Sequence, residues 1–80
     1  MNKILLVDDH PIVLLALRRL LEKNGYEIVG EAENGVDALN LARQLKPDLV
    51  VLDIMVPQLD SMEMLKRLQI YEPTMRVLVL

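Results

Sequence analysis

The sequence predicts an α/β fold built on a parallel sheet, and three observations carry that prediction. Short apolar runs recur at Lys3–Val7, Tyr26–Ala32, Leu49–Leu52 and Arg76–Leu80, each too short for a stable helix. Stretches long enough for helices of about three turns lie between them, the pattern of right-handed crossovers in a parallel sheet. Aspartates stand directly after the first and third runs, at Asp8, Asp9 and Asp53.

Each element has its own local signals. Lys3-Ile-Leu-Leu-Val7 is apolar without alternation, as expected of a strand buried on both faces. Pro11 suits the first turn of the helix that follows. Val13, Ala16, Leu17, Leu20 and Leu21 fall at helical spacing and define its expected inward face. Asn24-Gly25 ends it with residues that tolerate positive φ. The second strand centres on Ile28 and Val29. Asn34 is placed to cap the second helix, whose buried side is Ala38, Leu39, Ala42 and Leu45. Lys46-Pro47-Asp48 stops that helix before the third strand. Asp60-Ser-Met-Glu63 has the form of a capping box opening a third helix, with Leu65 and Leu68 on its apolar side. Glu72-Pro73-Thr74 breaks it, and the fourth strand follows.

Composition bounds the function. Eighty residues make one small domain. A net charge of −3 speaks against a nucleic-acid-binding surface. With no cysteine there is neither a disulfide framework nor a thiolate metal site. Tyr26 and Tyr71 are the only aromatic residues, so aliphatic side chains and Met fill the core. Met55, Met62, Met64 and Met75 read as packing or backbone positions. No signal peptide and no apolar run near the length of a membrane span appears, so no membrane association and a cytoplasmic location are expected.

The aspartates carry the chemistry. In an open parallel sheet, ligands bind beyond the carboxyl ends of the strands. If the first and third strands are neighbours, Asp8, Asp9 and Asp53 converge there. Three carboxylates so close repel one another unless a cation or raised pKa values relieve them. Hard oxygen donors of this kind suit Mg²⁺. A carboxylate also serves as a nucleophile toward phosphorus, giving an aspartyl phosphate. A single Asp after a strand is commonly only a turn or cap residue. An adjacent pair after one strand, matched by a third after another, is less easily explained that way. His10, beside the pair and before Pro11, reads as a helix-start residue at the rim of the site, without direct chemistry.

Val7-Asp8-Asp9-His10-Pro11 resembles the opening motif of response-regulator receiver domains. Its His-Pro continuation is typical of the branch that carries LuxR-type or FixJ-type helix-turn-helix output domains. Asn34-Gly35 with Ala38-Leu39, Lys46-Pro47-Asp48-Leu49-Val50 with Leu52-Asp53, and Pro57 with Asp60 resemble later family motifs, so the resemblance spans the chain. It implies a flavodoxin-like, doubly wound sheet of the chemotaxis-receiver type, in strand order 2-1-3-4. It implies a phosphoryl group accepted by Asp53 from a sensor histidine kinase. Mg²⁺ would be held by Asp8, Asp9, Asp53 and the backbone carbonyl of Met55, with Asp9 rather than Asp8 of the acidic pair as the direct ligand. The implied output is altered dimerisation and transcription, and no enzyme activity of its own.

Val56 and Ser61 depart from the family's usual Met and Gly. The larger departure is extent. The whole chain, residues 1–80, is expected to be the N-terminal part of a receiver. The family's fourth helix, fifth strand, fifth helix and any DNA-binding output domain are not in it. Nor are the hydroxyl and lysine that the family directs at the phosphoryl group. Contact with DNA is therefore expected only through the absent output domain. A fourth strand left as an edge predicts self-association. Leu14 and Leu15, off the expected inward face, are candidate interface residues. The alternative is a receiver-derived interaction module that is never phosphorylated. A nucleotide-binding enzyme ranks below both, because no Gly-rich phosphate loop follows the first strand.

Overall fold

A computed structural model describes residues 2–53, 66–67, 70 and 74–80. Its elements run β1 (Lys3–Val7), α1 (Pro11–Lys23), β2 (Glu27–Ala32), α2 (Gly35–Leu45), β3 (Leu49–Leu52) and β4 (Arg76–Val79). Lys66, Arg67 and Ile70 are helical, where the third helix was expected. The capping box at Asp60–Glu63, the apolar side at Leu65 and Leu68, and Val56, Pro57 and Ser61 lie outside the described residues.

The four strands form one parallel sheet in the order β2-β1-β3-β4, the order that the family resemblance implied. Alternation along the strands sorts the core into two layers. Leu5 and Val7 of β1 and Val50 and Leu52 of β3 pack on the α2 side with Ala32, Ala38, Ala42 and Met75. Ile4, Leu6, Ile28 and Val51 face the other side and meet Leu14, Leu17 and Leu21 of α1. Burying each large aliphatic side chain contributes about 1.5–3 kcal/mol before the cost of ordering the chain. Because β1 and β3 supply both layers, their apolar runs are continuous.

The helix ends follow their sequence signals. After Asn24, the Gly25 amide donates to Glu22 O and the Tyr26 amide to Leu21 O, each near 3 Å. This is the Schellman arrangement, and it needs the φ of +89° that Gly25 supplies. Asn34 caps α2, its side-chain oxygen accepting from the Asp37 amide at 2.8 Å. Lys46 closes α2 in the left-handed region, at φ 48°.

The orientation of α1 differs from the expected one. Leu14 is only 5% exposed and belongs to the core, whereas Val13 and Leu20 are exposed at 38% and 58%. The inward stripe is therefore Leu14, Leu17 and Leu21. Helical spacing did not decide between the two stripes, because apolar residues surround most of this helix. Leu14 is thus withdrawn as an outward-facing interface residue, while Leu15 is half exposed, as expected.

Candidate functional site

Register places the acidic residues together. Val7 of β1 pairs with Leu52 of β3, so Asp8 and Asp53 leave the sheet side by side at its carboxyl end. The Asp53 amide donates to Val7 O at 2.9 Å, and the Asp8 amide donates to Ala32 O at 3.0 Å. These bonds continue the ladders one residue past the strands and fix where the two carboxylates begin.

The Asp8 side chain is almost enclosed, at 6% exposure, while those of Asp9 and Asp53 are at 34% and 18%. Asp8 Oδ1 accepts from the His10 amide at 2.9 Å, closing an Asx turn. The turn reading of this aspartate therefore holds alongside any other role. One ligand atom from each of Asp8, Asp9, His10 and Asp53 lies within 4.8 Å of the others. The donor set is three carboxylates and one imidazole, which fits a divalent cation. The Asp53 side chain is mostly enclosed but keeps part of its surface exposed.

His10 is the residue whose placement the sequence understated. It stands at the N-cap of α1, as expected, but its side chain makes no capping bond. The ring instead lies over the carboxylates, with Nδ1 at 2.7 Å from Asp8 Oδ1, 3.1 Å from Asp9 Oδ1 and 3.6 Å from Asp53 Oδ2. The hydrogen bond to Asp8, then the charge of Asp9, raises its pKa above 6.5, with further help from the charges of Asp8 and Asp53 and against a desolvation effect. Pro11 was the available signal, since it confines the preceding residue to extended backbone. Met55 lies outside the described residues.

A second polar feature was not foreseen. Arg18 Nε donates to Glu31 Oε2 at 2.9 Å and ties α1 to β2, away from the acidic cluster.

A profile of the response regulator receiver domain matches residues 4–80. The chain belongs to the receiver-domain family. Among its relatives is the virulence-factor transcription regulator BvgA of Bordetella pertussis, 52% identical over 79 residues. That alignment takes in 99% of this receiver and 38% of BvgA, so the chain spans well under half the length of that relative. A LuxR-family response regulator from Aurantimonas sp. SI85-9A1 superposes with a TM-score of 0.87 at 38% identity, covering 96% of this receiver and 56% of that chain. A response regulator from Burkholderia pseudomallei, solved with a phosphorylated aspartic acid, a calcium ion and citrate, gives a TM-score of 0.87 at 28% identity, covering 99% of this receiver and 46% of that chain. The receiver is accordingly a domain of two-component response regulators, the class to which transcription regulators such as BvgA belong. Among the described residues no helix is long and apolar enough to cross a membrane.

Proposed function

We propose that this receiver accepts a phosphoryl group on Asp53 from a sensor histidine kinase, with Mg²⁺ held at Asp8, Asp9 and Asp53. The observation that carries the reading is the convergence of these carboxylates at the ends of two neighbouring strands, all within 4.8 Å. The related Burkholderia regulator, which holds a phosphorylated aspartate and a calcium ion, supports it.

A carboxylate oxygen of Asp53 attacks the phosphorus of a phosphohistidine. The new P–O bond forms as the P–N bond breaks, and the kinase imidazole leaves with the electron pair. Asp8 and Asp9 hold negative charge beside the reacting oxygen and, with Asp53, would hold the cation. Mg²⁺, when bound, supplies the charge neutralisation that the transferring oxygens need. The Met55 carbonyl is assigned as a further oxygen donor on family grounds. Within the parent regulator, modification of Asp53 alters dimerisation and transcription in the cytoplasm, and DNA is reached through a separate output domain. Exposed Leu15, Leu20 and Leu78 support self-association of the receiver.

The test is intact-mass analysis after incubation with Mg²⁺ and a small acyl phosphate. A gain of one phosphoryl group that disappears with a chelator supports the reading. A folded chain that stays unmodified favours the rival interaction module.

A further inference from the structure

We infer that the receiver has a second binding site, a cavity at the amino-terminal ends of its strands that takes a small organic anion, a carboxylate or phosphate ester carried on an apolar ring. The cavity lies at the opposite end of β1 from Asp8, about 13 Å along the strand, and shares no residue with the acidic cluster.

The backbone builds its frame. Asp48, the residue before β3, is bonded on both sides. Its amide donates to Lys3 O at 2.8 Å, and its carbonyl accepts from the Arg76 amide at 3.0 Å. Asp48 Oδ2 also accepts from the Lys3 amide at 2.8 Å. Register then sets Ile4 beside Leu49 and Leu49 beside Arg76. Lys3 and Arg76 therefore open the two strands that flank β3, one on each side of Asp48.

The cavity at this place has a volume of about 510 Å³, within the range of about 300–1,000 Å³ usual for small-molecule sites. Buried Ile4 and partly buried Leu49 give it an apolar base, and exposed Lys3, Tyr26, Thr74 and Arg76 surround them. Apolar surface with a few polar groups to fix orientation is the composition of a ligand site.

Charge decides the ligand. Lys3 and Arg76 are the cations of the lining, and Asp48 is its acid. The Asp48 carboxylate is already engaged by the Lys3 amide, the largest of the causes that lower its pKa. The Arg76 guanidinium has no hydrogen bond or ion pair among the described residues. Its planar fork matches the paired oxygens of a carboxylate or phosphate, and Lys3 adds a point charge. Tyr26, 40% exposed, offers the ring of the ligand an aromatic neighbour. A neutral ligand of the same shape gains nothing from either cation.

The experiment titrates the chain with 2-naphthoate, 2-naphthyl phosphate and 2-naphthol, which share one ring system, and follows backbone amide resonances. A chelator is present throughout, so that no cation occupies the acidic cluster. The expected result is saturable shifts centred on Ile4, Leu49 and Arg76 with at least one anion, at a Kd of about 1 mM or tighter. The tighter anion identifies the headgroup. Naphthol should bind at least about tenfold more weakly, and Arg76→Gln should lose about tenfold in affinity for the anion, with a further loss in the Lys3→Gln/Arg76→Gln double variant. Both side chains are exposed, so the variants should keep the far-ultraviolet circular dichroism of the unaltered chain. Shifts that fail to saturate or centre elsewhere, naphthol binding as tight as the anions, or affinity unchanged in the folded double variant would overturn the inference.

Discussion

Asp8 Oδ1 is gripped twice by His10, at 2.9 Å from its backbone amide and 2.7 Å from its ring Nδ1. One residue thus turns the chain from β1 into α1 and lays its ring across the acidic cluster. Sheet register does the rest, because Asp53 leaves β3 beside Asp8.

That contact gives the metal-free receiver a defined pH response. The Asp8 hydrogen bond and the Asp9 charge raise the His10 pKa in the folded state above 6.5. A raised folded value means that the contribution to stability is fully present below the unfolded value and is lost as pH rises through the folded one. In chelator, the stability difference between the receiver and His10→Ala should therefore be largest below about pH 6.5 and shrink above it. Denaturant midpoints across pH measure it. A difference that grows with pH would contradict the assignment.

The packing of α1 separates two adjacent leucines. Leu14→Ala empties a position in the Ile4–Leu6–Val51 layer and should cost about 2–4 kcal/mol. Leu15→Ala removes a half-exposed side chain and should cost less than about 1 kcal/mol. Urea unfolding of the two variants reads the difference directly. Equal losses would contradict the observed rotation of the helix.

This is also where the sequence proved readable and where it did not. β1 and β3 were visible because a strand buried on both faces leaves an unbroken apolar run, and their ends placed Asp8, Asp9 and Asp53. Pro11, Asn24-Gly25 and Asn34 marked helix ends because each has a backbone role that few other residues fill. The rotation of α1 was hidden, since Ile12 to Leu17 is apolar on nearly every side. The position of the His10 ring was hidden too. It depends on the turn between β1 and α1 and on a neighbouring strand that lies more than forty residues away in the chain.

The proposed self-association draws on exposed leucines of two elements. Leu20 of α1 and Leu78 of β4 are 58% and 51% exposed. Sedimentation velocity over a concentration series should show a species heavier than the monomer, weakened in Leu20→Glu. A folded chain that remains monomeric throughout would contradict self-association.

Asp53, and no other carboxylate of the cluster, is the proposed acceptor of the phosphoryl group. The most direct measurement treats the receiver with Mg²⁺ and a small acyl phosphate, reduces the product with borohydride, and maps the altered residue by peptide mass spectrometry. A reduced aspartate is expected at position 53 alone, and none when Mg²⁺ is withheld. Modification at Asp8 or Asp9, or an unchanged Asp53 in the folded, Mg²⁺-treated chain, would contradict it.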